Sequence, residues 1–211
     1  MRRTTALAPF YLGLVHGASG RLEDALASFR RAVENNPSHA SAHAHIGHAL
    51  ARMERAAEGL EHLHYAVRLS PRDPNLAYWH EFIGSAEMAL GRYQEAIAHF
   101  GKSASLNPGY PRSWAGLAAA HALAGEMEAA RRHADKLRAF APDADNEALI
   151  RRFGRQKKHS PRLHEGLRLA LFPVADPRRS QHLPSRTDAS PAEQSPEVTA
   201  ENTLLSQPAT R

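Results

Sequence analysis

Four prolines divide the first two-thirds of the chain at nearly regular intervals. Pro37, Pro71, Pro108 and Pro142 each end a segment with helical apolar spacing, and their separations are 34, 37 and 34 residues. A repeat of this length accommodates one pair of antiparallel helices, and such a pair can bury its apolar faces only by stacking on its neighbours. Alanine is abundant and β-branched residues are few, which also favours helix over strand.

Small residues recur at fixed distances before each proline. Small side chains at two positions allow two antiparallel helices to approach closely, and large apolar residues beside them fill the remaining space. A glycine between the helices permits the backbone conformation that ends the first helix. The positions 24 and 12 residues before the prolines hold Gly13, Gly47, Gly84 and Ala118, and Ala25, Gly59, Ala96 and Ala130. The middle turn, 17 residues before them, holds Gly20, Glu54, Gly91 and Gly125.

This helix–turn–helix pattern resembles the tetratricopeptide repeat (TPR). The resemblance implies an all-α, right-handed superhelical solenoid of about four hairpins, in which the first helix of each hairpin lines a concave face. We expect the hairpins at residues 9–17 with 21–35, 40–52 with 55–69, 74–89 with 92–106, and 111–123 with 126–140. The three extra residues of the longer interval fall in the turn at 72–77, where an insertion is tolerated.

The two ends of the chain depart from the repeat. Pro9 suits only the first turn of a helix, so we expect the first helix to span about two turns within an array at 1–142. The apolar start suggests that the chain begins partway into an array or docks its N-terminal end on something. Apolar spacing after Ser160-Pro161 predicts capping helices within 143–172. Residues 173–211 are rich in Pro, Ser and Thr, and we expect a disordered tail there.

A narrower resemblance covers residues 36–170. The segments SPRDP and EGLR within it are similar to an array that follows the catalytic domain of bacterial class III adenylate/guanylate cyclase-like proteins and the winged-helix domain of some transcriptional regulators. The resemblance implies a signalling role, with a protein or peptide partner that could be a cyclase or regulator domain. It does not imply cyclase activity, because no strand–loop stretch remains for the metal-binding carboxylates of such an enzyme.

Several classes of site are disfavoured by what the sequence lacks. Without cysteine the chain has no disulfide, thiolate zinc site or cysteine nucleophile. It has no Gly-x-Ser-x-Gly elbow and no phosphate-binding glycine loop, so we expect no enzymatic activity and no cofactor. No apolar run is long enough to span a membrane. Arg2-Arg3 before an apolar stretch could pass for a signal peptide, but Pro9 and His16 weaken that interpretation, and we expect a cytoplasmic protein.

The net charge of +5 is concentrated in one segment. Residues 1–150 carry 16 basic and 16 acidic side chains, whereas residues 151–172 carry seven basic and one acidic. The basic segment comprises Arg151, Arg152, Arg155, Lys157, Lys158, Arg162 and Arg168. It could bind nucleic acid or a phosphate-bearing ligand, which is the alternative function. The simpler interpretation is a solvated connector between capping helices, since only Phe153 could stack on a base.

The remaining candidates are histidines and the concave face. His39 and His43 have the i, i+4 spacing of a helical metal pair, but acidic partners are few, so we expect packing roles and no metal site. In the repeat register, the residues opposite the packed ones point into the groove. They are His48, Arg52, Tyr78, Glu81, Ser85, Met88, Arg112 and Ala119. Each could contact a partner helix or extended segment, or could simply be solvated.

Overall fold

The computed structural model describes residues 3–154 and 160–172, with side chains described from residue 7 onward. This part of the chain is all-α and contains no strand. Its helices are α1 (Arg3–Ala18), α2 (Leu22–Asn35), α3 (Ala40–Arg52), α4 (Ala56–Leu69), α5 (Leu76–Ala89), α6 (Tyr93–Leu106), α7 (Pro111–Leu123), α8 (Met127–Arg138), α9 (Asn146–Phe153) and α10 (Pro161–Leu171). The first eight helices form the four predicted hairpins, and the predicted helical solenoid is confirmed.

The small residues bring the two helices of each hairpin together as expected. In the second hairpin, Gly47 of α3 and Gly59 of α4 are so close that a Cβ on either would collide with the other's carbonyl oxygen. In the third hairpin, a Cβ on Gly84 would lie 2.9 Å from the ring of Phe100. The first helices also contact one another, α3 with α5 and α5 with α7. They form what we call the inner layer of the solenoid.

The turn inside each hairpin uses left-handed backbone at one residue. Gly20, Gly91 and Gly125 have φ values of 76°, 76° and 81°. In the second hairpin this position is Glu54, with φ 64°. Glycine adopts such a conformation freely, whereas a side chain at Cβ makes it unfavourable by about 1–2 kcal/mol. The second hairpin therefore makes its turn with a strained residue.

Helix α1 is longer than the sequence suggested. The prediction of a short first helix is wrong, because α1 has 16 residues and contains Pro9 in its interior. Proline removes one backbone hydrogen bond and typically costs about 3 kcal/mol in a helix interior. Packing counters that loss, since Phe10 lies 5.8 Å from the ring of Phe29 and Gly13 faces the same ring. Tertiary contacts thus stabilise a helix that local propensity disfavours.

The opposite face of α1 is apolar and uncovered. Tyr11 is 59% exposed and Val15 is 57% exposed, and Leu7 and Leu12 are exposed as well. The repeat at the end of a solenoid usually has a polar outer face, which keeps the protein soluble. The predicted apolar character of this end is therefore present at the surface of the folded chain.

Helix α10 covers the last hairpin but also reaches across the inner layer. It packs mainly on α7 and extends to α8 and α5. Its predicted apolar stripe, Leu163, Leu167, Ala170 and Leu171, is buried. A Cβ on Gly166 would lie 2.5 Å from the carbonyl oxygen of Ala119, so the two helix backbones are in close contact. The capping helices therefore cover part of the concave face that we expected to be open to a partner.

The close approach of α3 and α4 yields a test with an internal control. Gly47→Ala should destabilise the protein by about 1–3 kcal/mol, because the added methyl collides with backbone that cannot move away cheaply. Gly101→Ala should stabilise it by about 0.5–1 kcal/mol, because a Cβ at this position in α6 has no neighbour within 4 Å and alanine favours helix. Chemical denaturation of both variants measures the difference, and equal effects would contradict the packing argument.

The strained turn yields a second test. Glu54→Gly should raise the free energy of unfolding by about 0.5–1 kcal/mol, because relief of the left-handed strain exceeds the added flexibility of the unfolded chain. Gly91→Ala makes the reverse change at the equivalent position of the third hairpin. It should lower the free energy of unfolding by a similar amount. Thermal unfolding followed by circular dichroism distinguishes the two, and a destabilised Glu54→Gly variant would refute the strain.

Candidate functional site

A cavity of about 1000 Å³ opens inside the solenoid, and we call it the inner cavity. Residues of α1, α2 and α3, Phe82 of α5, the start of α7, and residues of α9 and α10 line it. Its side-chain lining includes Leu14, Leu22, Phe29, His45, His48, Arg52, Phe82, Tyr110, Arg112, Ile150, Arg151, Arg152 and His164. This volume is within the range of ordinary ligand and peptide sites.

Stacked aromatic rings form the floor of the inner cavity. The rings of His48 and Phe82 are 3.9 Å apart and nearly parallel at 8°. His45 stacks on Phe29 at 5.2 Å and meets Phe10 edge-on at 5.6 Å. Burial among these rings, with a smaller contribution from the nearby His39, lowers the pKa of His45 to about 4. The floor is therefore apolar and, at neutral pH, uncharged at His45.

The walls are basic. Arg52, Arg112, Arg151 and Arg152 all line the inner cavity, and in the described part of the chain none of its lining residues is Asp or Glu. The Arg52 guanidinium donates to the carbonyl of Gly17 at 3.4 Å, which ties α3 to the first hairpin. Arginines from three separate helices thus border one apolar space.

The predicted groove residues divide into three groups. His48, Arg52 and Arg112 line the inner cavity. Tyr78 lies outside it, 37% exposed, with its ring edge-on to Tyr110 at 4.7 Å. Ser85 borders a smaller pocket of about 250 Å³ between α5 and the start of α10.

The third group, Glu81, Met88 and Ala119, is buried, so the prediction that these residues are exposed in the groove is wrong. Glu81 is 1% exposed and accepts a hydrogen bond from the Ser85 hydroxyl at 3.0 Å. Met88 is 2% exposed and belongs to the apolar cluster that contains α10. Ala119 is fully covered by α10 at Gly166. The expectation failed because the register identifies the inner layer but not a later helix that packs on it.

The basic segment is split by the structure. Arg151 and Arg152 are exposed on α9 and face the inner cavity. Arg162 donates to Glu165 at 3.1 Å, and Arg168 donates to Glu147 of α9 at 3.4 Å. The remaining predicted members, Arg155, Lys157 and Lys158, lie outside the described residues, as does the tail at 173–211.

In two of the hairpins, a histidine of the first helix lies beside a histidine of the second helix. The Nδ1 atoms of His43 and His62 are 3.3 Å apart, and those of His80 and His99 are 3.1 Å apart at the equivalent place in the next hairpin. Burial, with smaller contributions from the charges of His80, Lys102 and His64, lowers the pKa of His99 to about 4. Among the residues that the structure describes, no three His, Asp or Glu side chains form a group that could hold a metal ion.

The two histidines with the spacing of a metal pair, His39 and His43, make other contacts. His39 caps the start of α3, where its Nδ1 accepts a hydrogen bond from the backbone of Ala42 at 3.3 Å. His43 lies between α3 and α4, with its Nε2 3.0 Å from the carbonyl oxygen of Pro37. His39 therefore acts as a helix cap, and only His43 has the interhelical position that the sequence predicted.

Sequence reasoning missed the aromatic floor and the position of Arg151 and Arg152. One signal for the covering helix was available in α7, where the consecutive residues 115–120 are all small or apolar, cover every side of the helix and are all buried. A helix that is apolar all round is normally covered all round. For Phe29 and Phe82 there was no such signal, because large apolar residues in a repeat are ordinarily core.

Comparison with protein families identifies the repeat. Models of the tetratricopeptide repeat match residues 11–74 and residues 87–152. Comparison with curated protein sequences finds no match. Within the described part of the chain, every helix is too short or too polar to cross a lipid bilayer.

Solved structures with the same fold share little sequence with this chain. The type IV pilus biogenesis factor PilW is 20% identical with a TM-score of 0.63, over 83% of this chain and 82% of that one. A thermophilic TPR protein from Thermus thermophilus is 21% identical with a TM-score of 0.59, over 83% and 96%. An O-GlcNAc transferase of Thermobaculum terrenum is 20% identical with a TM-score of 0.61, over 66% of this chain and only 26% of the enzyme.

The buried imidazole of His45 makes stability depend on pH. In the unfolded chain this ring takes up a proton below its ordinary pKa of 6.5, whereas in the folded chain it does so only near pH 4. The folded state should therefore lose up to about 3 kcal/mol from this group as the pH falls from 6.5 to 4, and nothing above 6.5. Urea unfolding of the unaltered protein and of His45→Phe across this range should diverge, with the shallower dependence in the variant. Parallel curves would contradict the assigned environment.

Proposed function

The chain belongs to the tetratricopeptide repeat proteins, and from that premise we propose that it is a non-catalytic interaction module whose inner cavity binds a segment of a partner protein. TPR domains generally bind protein partners on the face formed by the first helices. In this chain the inner cavity is the part of that face that α10 leaves uncovered. Its combination of an aromatic floor and arginine-lined walls is the observation that carries the proposal.

The floor and the walls suit a peptide chain. Apolar side chains of a bound segment would pack on Leu14 and the ring of Tyr110, while the exposed Arg151 and Arg152 offer hydrogen-bond donors. Interfaces of this kind combine a buried apolar centre with a polar rim. Arginine and aromatic residues are also the side chains that most often dominate binding energy.

We propose a bacterial signalling role in the cytoplasm, with a nucleotide cyclase or transcriptional regulator as the partner. This part of the proposal is supported by the resemblance of residues 36–170 to the arrays that follow cyclase-like catalytic domains and some winged-helix domains. The partner would be encoded upstream in the same reading frame or in a neighbouring gene. Recombinant partner domains identified in this way are the first to test for binding.

The alternative, nucleic-acid or phosphate binding through residues 151–168, is less well supported. Two of the four described cations of the basic segment, Arg162 and Arg168, already form ion pairs with Glu165 and Glu147. The other two line a cavity and do not lie on a broad outer surface. Backbone recognition of a duplex requires several cations spread along an accessible face.

Site-specific photo-crosslinking tests whether the inner cavity is the contact surface. A benzoylphenylalanine at Tyr110 replaces one aromatic side chain that lines the cavity with another. The matched control places the same residue at Tyr65, an exposed tyrosine of α4 that does not line the cavity. On irradiation in cells of the source organism, we expect a partner adduct at position 110 and none at position 65.

The adduct also identifies the partner and the segment bound, by mass spectrometry of the cross-linked peptide. A partner joined only at position 65 would move the interface to the outer helices. Adducts at neither position, under conditions in which the partner co-purifies with the protein, would refute the proposed site.

A further inference from the structure

We propose that the segment bound in the inner cavity is acidic, with Asp or Glu residues next to the apolar side chains that occupy the floor. The inference rests on the proposed function and adds the chemistry of the partner. It is carried by the one-sided charge of the cavity, whose walls, over the residues that the structure describes, hold four arginines and no carboxylate.

The arginines come from separate parts of the fold and meet only in three dimensions. Arg52 is at the end of α3, Arg112 is in the first turn of α7, and Arg151 and Arg152 are adjacent on α9. A recessed surface with one sign of charge concentrates the electrostatic potential and attracts ligands of the opposite sign.

Nearby carboxylates do not cancel this charge. Glu81 lies on α5 with 1% of its surface exposed, and Glu54 borders the smaller pocket beside the start of α10. Counting both against the four arginines still leaves a net positive charge of two. Glu147 and Glu165 are paired with Arg168 and Arg162, which lie outside the lining of the inner cavity.

The floor distinguishes a peptide from a small anion. Leu14 and the partly exposed ring of Tyr110 add apolar surface beside the arginines, and a free phosphate or sulfate would leave that surface in contact with water. Nucleic-acid bases also have little ring surface to stack on, because Phe82 lies beneath His48 and is only 7% exposed. An acidic segment with apolar side chains satisfies both the walls and the floor.

Fluorescence anisotropy with the full chain tests the inference directly. The probes are a fluorescein-labelled peptide of about 12 residues composed of Glu and Leu, and the same peptide with Gln at every Glu. We expect the Glu peptide to bind at least about tenfold more tightly. Raising NaCl from about 50 mM to about 500 mM should remove most of that difference, because exposed charge interactions are screened.

A pair of double variants locates the effect. Arg151→Gln with Arg152→Gln should weaken binding of the Glu peptide about tenfold and leave the Gln peptide unchanged. Arg131→Gln with Arg132→Gln removes an equally exposed pair from α8, outside the cavity, and should change neither. Circular dichroism of both variants shows that the fold is retained.

Three outcomes would overturn the inference. Equal affinity for the Glu and Gln peptides would show that charge does not select the partner. Equal loss in the two double variants would show that overall charge, and not the cavity, attracts the peptide. A single-stranded oligonucleotide that binds more tightly than the Glu peptide and displaces it would assign the arginines to phosphates.

The proposed function can survive these failures. A partner cross-linked at position 110 through a segment without excess Asp or Glu would retain the interaction site and refute its acidic ligand. Absence of that adduct, together with tight and cavity-dependent binding of the Glu peptide, would retain the acidic preference and refute the partner assignment.

Discussion

The close contact between helix backbones is the constraint on which the rest of this structure depends. Gly47 and Gly59 lie with no room for a methyl group between α3 and α4, and the ring of Phe100 fills the equivalent space beside Gly84. Contacts of this kind set the distance and angle within each hairpin, and the repeat length then sets how one hairpin meets the next. The inner layer and the cavity beside it follow from this spacing.

The C-terminal helices convert a repetitive scaffold into a specific surface. Helix α10 buries Ala119 and Met88, which would otherwise face the concave side, and α9 carries Arg151 and Arg152 to the open side of the same space. The Asn146 amide donates to the carbonyl of Leu171 at 2.8 Å, so the beginning of α9 is joined to the end of α10. Residues outside the repeats therefore define the chemistry of the site that the repeats enclose.

The sequence was informative where one residue decides one local feature. Gly20, Gly91 and Gly125 predicted left-handed turns, and the recurring small residues predicted the helix crossings, because these features depend on the presence or absence of a Cβ. Prediction failed where distant parts of the chain compete. Pro9 disfavours a long first helix locally, but contacts with Phe29 outweigh it, and the burial of Glu81 and Met88 depends on where α10 packs. The aromatic floor required the same long-range information, since residues from α2, α3 and α5 converge there.

The contact between α10 and α7 has a bearing on how such arrays diverge. At position 166 the side chain is a hydrogen atom, and any larger group would meet the backbone of Ala119. A relative with a bulkier residue at this point would have to place its last helix elsewhere, and a longer stretch of α7 would then be free to meet a ligand. The extent of the inner layer that stays open to a ligand thus depends, in part, on the side chain at position 166.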